Sequence, residues 1–138
     1  PMPPRVAVVA CASGADMTDH EPFGFATALL IDGADTVQAT LWSLPTDAAL
    51  QAMDASAGPA LTRLAVAVDA AQTADDPVAS LCSWQRGQLD AWRAAPSLDN
   101  SPIVWAAAMT MTAPQRQHAA HRAQRAIERK LARQIHAL

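Results

Sequence analysis

The residue of this 138-residue chain with the clearest chemical potential is Cys11. It follows the apolar run Val6 to Ala10 and precedes Ser13-Gly14, a pair suited to a tight turn. The run is short and rich in valine, which predicts a strand buried on both faces. In sheets covered by helices, chemistry takes place at the carboxyl ends of the strands. Cys11 therefore stands where a thiolate nucleophile would act, although the position also suits an inert, packed thiol.

Three acids and a histidine follow Cys11 closely in the chain. Asp16, Asp19 and Glu21 could favour a basic side chain on a substrate. His20 could act as a base if its loop folded back towards the thiol, but a solvent-facing loop histidine is the alternative interpretation.

The other histidines and the second cysteine do not indicate a site. His118 and His121 are three residues apart without an acid or cysteine ligand nearby, so we predict no metal and no cofactor. Cys82 lies at helical spacing with Val78 and Leu81 and is predicted to be a core residue. Two such cysteines do not form a disulfide framework, which favours a reduced, cytoplasmic setting.

The chain shows no sign of a membrane anchor. No apolar run approaches the roughly 18 residues that a membrane helix needs. The segment before Cys11 resembles a lipoprotein cleavage box, but its apolar stretch is about half as long as a signal-peptide core.

The elements around Cys11 alternate between strand and helix. A helix from Pro22 or Phe23 to Ile31, closed by Gly33, is followed by a strand from Asp35 to Leu41. In this strand the apolar Val37, Ala39 and Leu41 alternate with the polar Thr36, Gln38 and Thr40, which predicts that one face is buried. Trp42 to Pro45 is predicted to be extended.

Three further helices and a strand are predicted after Pro45. The first is capped by Thr46 and runs to about Ser56. The second follows Gly58-Pro59 and the third begins at Asp76-Pro77. Their apolar faces are predicted to contain Leu61, Leu64, Ala65 and Val68, and Val78, Leu81, Cys82, Leu89 and Trp92. A strand from Ile103 to about Thr112 and a helix from Pro114 to the end complete the chain.

This order predicts an α/β fold built by crossover connections. The first strand looks central, yet the chain offers only three strands. Either the sheet is very small, or a missing N-terminal half, a second chain or a homo-oligomer completes it.

Charge is divided unevenly along the chain, whose net charge is −3. Residues 114–138 hold six arginines and lysines against one glutamate, whereas residues 1–113 hold four arginines against twelve acids. The basic helix also has a narrow apolar stripe, which favours packing on its own body or on a protein partner. Binding to nucleic acid is not expected, because no aromatic residue stands among the arginines.

Three segments resemble the C-terminal half of a CHAT domain, a group of caspase-like cysteine peptidases related to separase. They are the strand ending in Ala10-Cys11-Ala12-Ser13-Gly14, the helix and strand from Phe25 to Pro45 with its Thr40-Leu41-Trp42, and Trp105-Ala106-Ala107. The resemblance spans about residues 5–112. A thiolase-type condensing enzyme is a weaker alternative, which the Thr40 to Pro45 segment does not fit.

The resemblance implies a three-layer caspase-like fold with a mostly parallel sheet and helices on both faces, of which only the C-terminal strands are present. Residues 1–113 would be the C-terminal portion of the CHAT domain, and residues 114–138 a basic amphipathic helix. The family's histidine lies on the strand before the cysteine strand, and residues 1–10 contain none. An acid that commonly stands four residues after the tryptophan is replaced by Thr46, with Asp47 next.

The resemblance further implies a cysteine endopeptidase that acts on a protein or peptide substrate. Cys11 would be the nucleophile and its backbone N–H would help to bind the oxyanion. Trp42, Ser43 and Leu44 would line the substrate groove. From their positions just after Cys11 in the sequence, we further expect Asp16 and Asp19 to lie beside it. The alternative is a catalytically inactive CHAT-like fragment or subunit that acts in protein–protein interaction.

Overall fold

The computed structural model describes residues 2–10 and 24–113. Within these ranges it has three strands, β1 (Arg5–Val8), β2 (Thr36–Thr40) and β3 (Ala108–Thr112). The helices are α1 (Gly24–Asp32), α2 (Asp47–Met53), α3 (Ala60–Thr73), α4 (Pro77–Ala94) and the single turn α5 (Pro102–Trp105), with a 3-10 turn at Leu98–Asn100.

The described strands form one sheet in the order β1-β2-β3. β1 runs parallel to β2, and β3 runs antiparallel to β2. The predicted α/β class and the helices on both faces are confirmed, but the described sheet is mixed rather than mostly parallel. The reason is that α5 delivers the chain to the carboxyl end of β2, where Leu41 N–H donates to Ala107 O at 2.9 Å, and β3 then runs back.

β1 was predicted to be buried on both faces, and that prediction is wrong for the described residues. Val6 packs against the α1 side of the sheet, whereas Ala7 and Val9 are exposed. β1 is the outermost strand in the described order, so β2 flanks it on one side.

β2 is more deeply buried than its alternating pattern predicted. Val37 and Ala39 pack with Ala26 of α1, and Gln38 and Thr40 on the other face are each 1% exposed. That second face is covered by α3 and α4, so its polar side chains need partners inside the protein. Gln72 Nε2 of α3 donates to Gln38 Oε1 at 2.7 Å, and Gln38 Nε2 donates to Pro77 O at 3.4 Å.

The predicted helix boundaries are largely confirmed by their caps. Gly33 closes α1 with a φ of 129°, a value that favours glycine, and its N–H donates to Leu29 O. Thr46 Oγ1 accepts from Ala49 N–H at the start of α2, and Asp76 Oδ1 accepts from Ala79 N–H at the start of α4. α2 ends at Met53, earlier than predicted, and Asp54 Oδ1 accepts the N–H of Ser56 just beyond it.

The larger core lies between the sheet and the helices that follow β2. Its buried members include Leu50, Leu64, Val68, Leu81 and Val104. The prediction that Cys82 belongs to the core is wrong, because α4 directs Pro77 and Leu81 inward and leaves Cys82 exposed. One residue along a helix corresponds to about 100°, which turns the side chain after Leu81 away from the core. Ala65 of α3, also predicted on the apolar face, is exposed for the same reason.

The predicted strand beginning at Ile103 is also wrong, because residues 102–105 form the helical turn α5. Ser101 Oγ accepts from Ile103 N–H, and Pro102 occupies the first helical position. Trp105 Nε1 donates to Asn100 O at 2.7 Å, which holds the turn against the preceding loop. The strand therefore begins only at Ala108.

Residues 2–10 and 24–113 contain neither a candidate membrane span nor a candidate metal-binding cluster. No helix there combines the length and apolarity needed to cross a bilayer. Nor do three or more histidine, cysteine or acidic side chains gather there in a way that could hold a metal ion.

Candidate functional site

The parallel pairing of β1 and β2 brings their carboxyl ends together at one end of the sheet, here called the carboxyl edge (residues 9–10 and 41–44). Val8 is aligned with Ala39, so both strands end nearly level. At the end of β2, Thr40 Oγ1 donates a hydrogen bond to the carbonyl oxygen of Ala10, two residues beyond β1. This contact ties the residue before Cys11 to the end of β2.

Several predicted site residues lie outside the described residues. They are Cys11 itself, Asp16, Asp19, Glu21 and His20. The basic segment 114–138, with His118 and His121, also lies outside them.

Trp42 is fixed and partly accessible at the carboxyl edge. Its indole Nε1 donates to Ile103 O of α5 at 2.8 Å, and the residue is 38% exposed. The hydrogen bond holds one edge of the ring against the protein and leaves part of the ring surface open to a partner. Ser43 is exposed, whereas Leu44 is half-buried and packs against the larger core. Of the three predicted groove residues, Trp42 and Ser43 are therefore the better placed to contact a ligand.

Further apolar side chains are accessible around this edge. Val9, Leu41 and Ile103 are all exposed, and they come from the segments after β1, after β2 and within α5. Each of these side chains is accessible to an apolar side chain of a bound peptide or protein.

The resemblance predicts an acid at position 46, and in this chain Thr46 and the neighbouring Asp47 make structural hydrogen bonds there. Thr46 caps α2, and the neighbouring Asp47 reaches the first turn of α3. Asp47 Oδ1 accepts from Leu61 N–H at 2.7 Å, and its Oδ2 accepts from Thr62 N–H and Thr62 Oγ1. Desolvation acts to raise the pKa of Asp47, but these hydrogen bonds outweigh it and hold the pKa below its ordinary value. The Asp47 carboxylate is therefore engaged in joining α2 to α3.

Thr40 and Asp47 make polar contacts that the sequence did not reveal. Alternation predicts Thr40 on the polar face of its strand, and Asp47 follows the predicted cap Thr46. Both depend on partners distant in sequence, 30 residues away for Thr40 and 14 for Asp47. Nothing in the local sequence predicts either pairing.

A cleft of about 610 Å³ lies at the opposite end of the sheet. Its lining includes Arg5, Asp35, Asp75, Asp76 and Thr112. The Arg5 guanidinium donates to the carbonyl oxygens of Gln72 and Ala74, where α3 ends. The Arg5 guanidinium therefore caps the C-terminal end of α3. The cleft itself is remote from the carboxyl edge.

Comparisons of the chain with protein-family models, with curated proteins and with solved structures find no match.

Proposed function

We propose that this chain carries the nucleophile of a cysteine endopeptidase, with Cys11 as the attacking thiolate. The observation that carries the proposal is the Thr40–Ala10 hydrogen bond, because it ties the residue before Cys11 to the end of β2. The segment leading to Cys11 and the Trp42-Ser43 segment thereby start from the same edge of the sheet. That is the edge at which α/β proteins place their ligands.

In the proposed reaction the thiolate sulfur forms a bond to the carbonyl carbon of a peptide, and the carbonyl oxygen becomes an oxyanion. The C–N bond then breaks, and the amine leaves with a proton returned by the catalytic base. Water attacks the resulting thioester, releases the carboxylic acid and restores the thiol.

The base is proposed to be a histidine from a further segment or a second chain. The four histidines of this sequence, at positions 20, 118, 121 and 136, all lie outside the described residues. His20 is the candidate within the Cys11 loop. A chain that lacks a base near Cys11 would bind peptides and react with strong electrophiles without turning substrate over.

The substrate is proposed to be an extended peptide that adds along the segment from Trp42 to Leu44. The fixed and partly accessible indole of Trp42 would contact one of its side chains. Asp16 and Asp19, together with Glu21, would favour a basic residue. Replacing all three acids should reduce the preference for a basic over a neutral substrate, and an unchanged preference would rule out this part of the proposal.

A non-catalytic role in protein–protein interaction is the second candidate. The exposed side chains of Leu41, Trp42 and Ile103 support it, because they offer an apolar surface whether or not Cys11 reacts. The two functions differ in whether peptide recognition leads to bond formation at Cys11.

The test uses a peptidyl acyloxymethyl ketone with arginine next to the reactive group. Its carbon forms a bond to a thiolate while a carboxylate leaves, and mass spectrometry locates the modified cysteine. We expect selective modification of Cys11, abolished by Cys11→Ser and unaffected by Cys82→Ser. Because Cys82 is exposed, it reports the reactivity of an accessible thiol in the same molecule. Equal modification of Cys11 and Cys82 would contradict the peptidase proposal, and binding of the peptide without modification would favour the interaction role.

A further inference from the structure

β3 is an outer strand of the described sheet, and one of its edges faces away from β2. The order β1-β2-β3 leaves no strand of the described residues beyond it. Leu41 N–H donates to Ala107 O at 2.9 Å, and antiparallel strands bond to each other through every second residue. The even-numbered residues of β3 therefore direct their N–H and C=O groups away from β2, and these are Ala108, Thr110 and Thr112.

This outer edge is covered at one end and open in its centre. Gln85 Nε2 of α4 donates to Ala108 O at 2.8 Å, as a carbonyl that points away from β2 allows. Thr110 in the middle of the strand is half-exposed, and neither its N–H nor its C=O has a hydrogen-bond partner in the described part of the chain. An outer strand with such free groups is a template for pairing with a further strand.

β3 also lacks the features that usually protect a sheet edge. Charged side chains, prolines and bulges discourage the addition of a strand. The five residues Ala108–Thr112 contain no charge and no proline, and their register with β2 is continuous. β1, the other outer strand of the described sheet, begins with Arg5 directly after Pro4. The edge of β3 is therefore the better suited of the two to accept a strand.

We propose that two copies of this chain pair their β3 strands in antiparallel orientation, about a two-fold axis that passes next to Thr110. Thr110 N–H of each copy donates to Thr110 O of the other, so both free groups of this residue are satisfied. Thr112 lies opposite the partner's Ala108. The two described sheets thereby continue into one another.

A second copy is the occupant because the sequence of β3 matches itself under this symmetry. Met109 lies opposite the partner's Met111, and both methionines are half-buried on the face of the sheet that α1 covers. Pairing removes more of their apolar surface from water. Because β3 has no charged residue, the symmetry brings no like charges together within the strand pair. β2 separates this edge from β1, so the pairing and the peptidase proposal can fail independently.

Thr110→Pro tests the pairing with the full chain. Because the N–H of Thr110 points away from β2, proline removes the donor to the partner and leaves the bonds to β2 in place. We expect the unchanged chain at about 100 μM to have twice its mass of 14.5 kDa by light scattering after size-exclusion chromatography. Thr110→Pro should raise the dissociation constant of the dimer, measured by sedimentation equilibrium, at least about tenfold. Thr110→Val keeps the N–H and is the matched control, which should remain dimeric.

Two further measurements locate the contact. Thr110→Lys keeps the backbone N–H but places two ammonium groups opposite each other at the two-fold axis, so it should also weaken the dimer at least about tenfold. Hydrogen exchange of the Thr110 amide should be slow at about 100 μM and fast at about 1 μM, where the dimer dissociates. The Leu41 amide, bonded to Ala107 O within one chain, is the control and should exchange at the same rate at both concentrations.

The outcomes decide for or against the β3 pairing. A monomer at every concentration would overturn it. A dimer that is equally stable with Thr110→Pro, and whose Thr110 amide exchanges at one rate at both concentrations, would also overturn it, because its contact would lie elsewhere. If Thr110→Pro does not fold, Thr110→Lys takes its place, and equal dissociation constants for Thr110→Lys and Thr110→Val would contradict the proposal.

Discussion

Gln72 Nε2 of α3 lies 2.7 Å from Gln38 Oε1 in the middle of β2, and Gln38 is 1% exposed. This side-chain hydrogen bond links the sheet to α3, one of the helices that cover this face. Replacing Gln72 with leucine should leave the Gln38 oxygen without its donor and lower the free energy of unfolding by about 1–3 kcal/mol, as measured by urea denaturation.

Two further variants test the reason for that loss. Gln88→Leu changes a half-buried glutamine on α4 and should alter stability by less than about 0.5 kcal/mol. The double variant Gln38→Leu/Gln72→Leu should recover part of the stability, because both polar groups are then absent. A double variant whose loss equals the sum of the two single losses would contradict a direct interaction between the two amides.

Trp42 provides a second prediction, at the carboxyl edge. Trp42→Phe keeps an aromatic ring but removes the N–H that donates to Ile103 O. We expect a loss of about 1 kcal/mol in unfolding free energy, because the link between the end of β2 and α5 disappears.

The same substitution at Trp92, a half-buried tryptophan of α4, is the control, since the described contacts give its indole no hydrogen bond. It should cost clearly less than Trp42→Phe in the same thermal or urea measurement. Equal losses of unfolding free energy in the two variants would indicate that the smaller ring, and not the lost hydrogen bond, causes the effect.

Asp47 should make stability depend on pH in the acidic range. Its pKa is lowered in the folded chain: desolvation opposes the shift, and the hydrogen bonds from Thr62 and Leu61 outweigh it. Because the folded chain holds this proton less tightly than the unfolded chain, the stabilisation is complete above the unfolded-state pKa and is lost as the pH falls through the folded-state pKa. Asp47→Asn should therefore be less stable than the unchanged chain at neutral pH, by about 0.5–1 kcal/mol, and the gap should close in acid.

Asp69→Asn on the exposed side of α3 is the matched control. It should change the free energy of unfolding by less than about 0.5 kcal/mol at neutral pH. Unfolding midpoints measured between neutral and acidic pH check both variants, and a gap for Asp47→Asn that stays constant with pH would contradict a role for its charge.

These contacts show which parts of the fold local sequence could predict. The helix boundaries set by Thr46, Asp76-Pro77 and Gly33 were predictable, because each of these caps acts on backbone groups within a few residues of its own position. The turn at residues 102–105 was missed because apolar, β-branched residues there favour a strand, whereas Ser101 and Pro102 start a helix.

Long-range pairing accounts for the other differences. The alternating pattern of β2 predicted one solvated face, but α3 and α4 cover it and supply Gln72 and Pro77 as partners for Gln38. The helical spacing of Cys82 predicts a core position. The buried face of α4 is instead formed by Pro77 and Leu81, and Cys82 lies outside it. From the sequence, the candidate site was predictable only as a position after a strand. The hydrogen bond between Thr40 and Ala10 depends on the tertiary fold, which the local sequence does not indicate.

We propose that Cys11 is an accessible nucleophile and not a packed thiol, and iodoacetamide labelling of the folded chain at neutral pH tests this most directly. Cys82, exposed on α4, is the internal reference, and concentrated guanidinium chloride gives the rates for the unfolded chain. We expect Cys11 to be labelled in the folded chain at least as fast as Cys82, and a peptide aldehyde to protect Cys11 alone. Labelling of Cys11 only after denaturation, with Cys82 modified freely beforehand, would contradict the proposal that Cys11 is an accessible nucleophile.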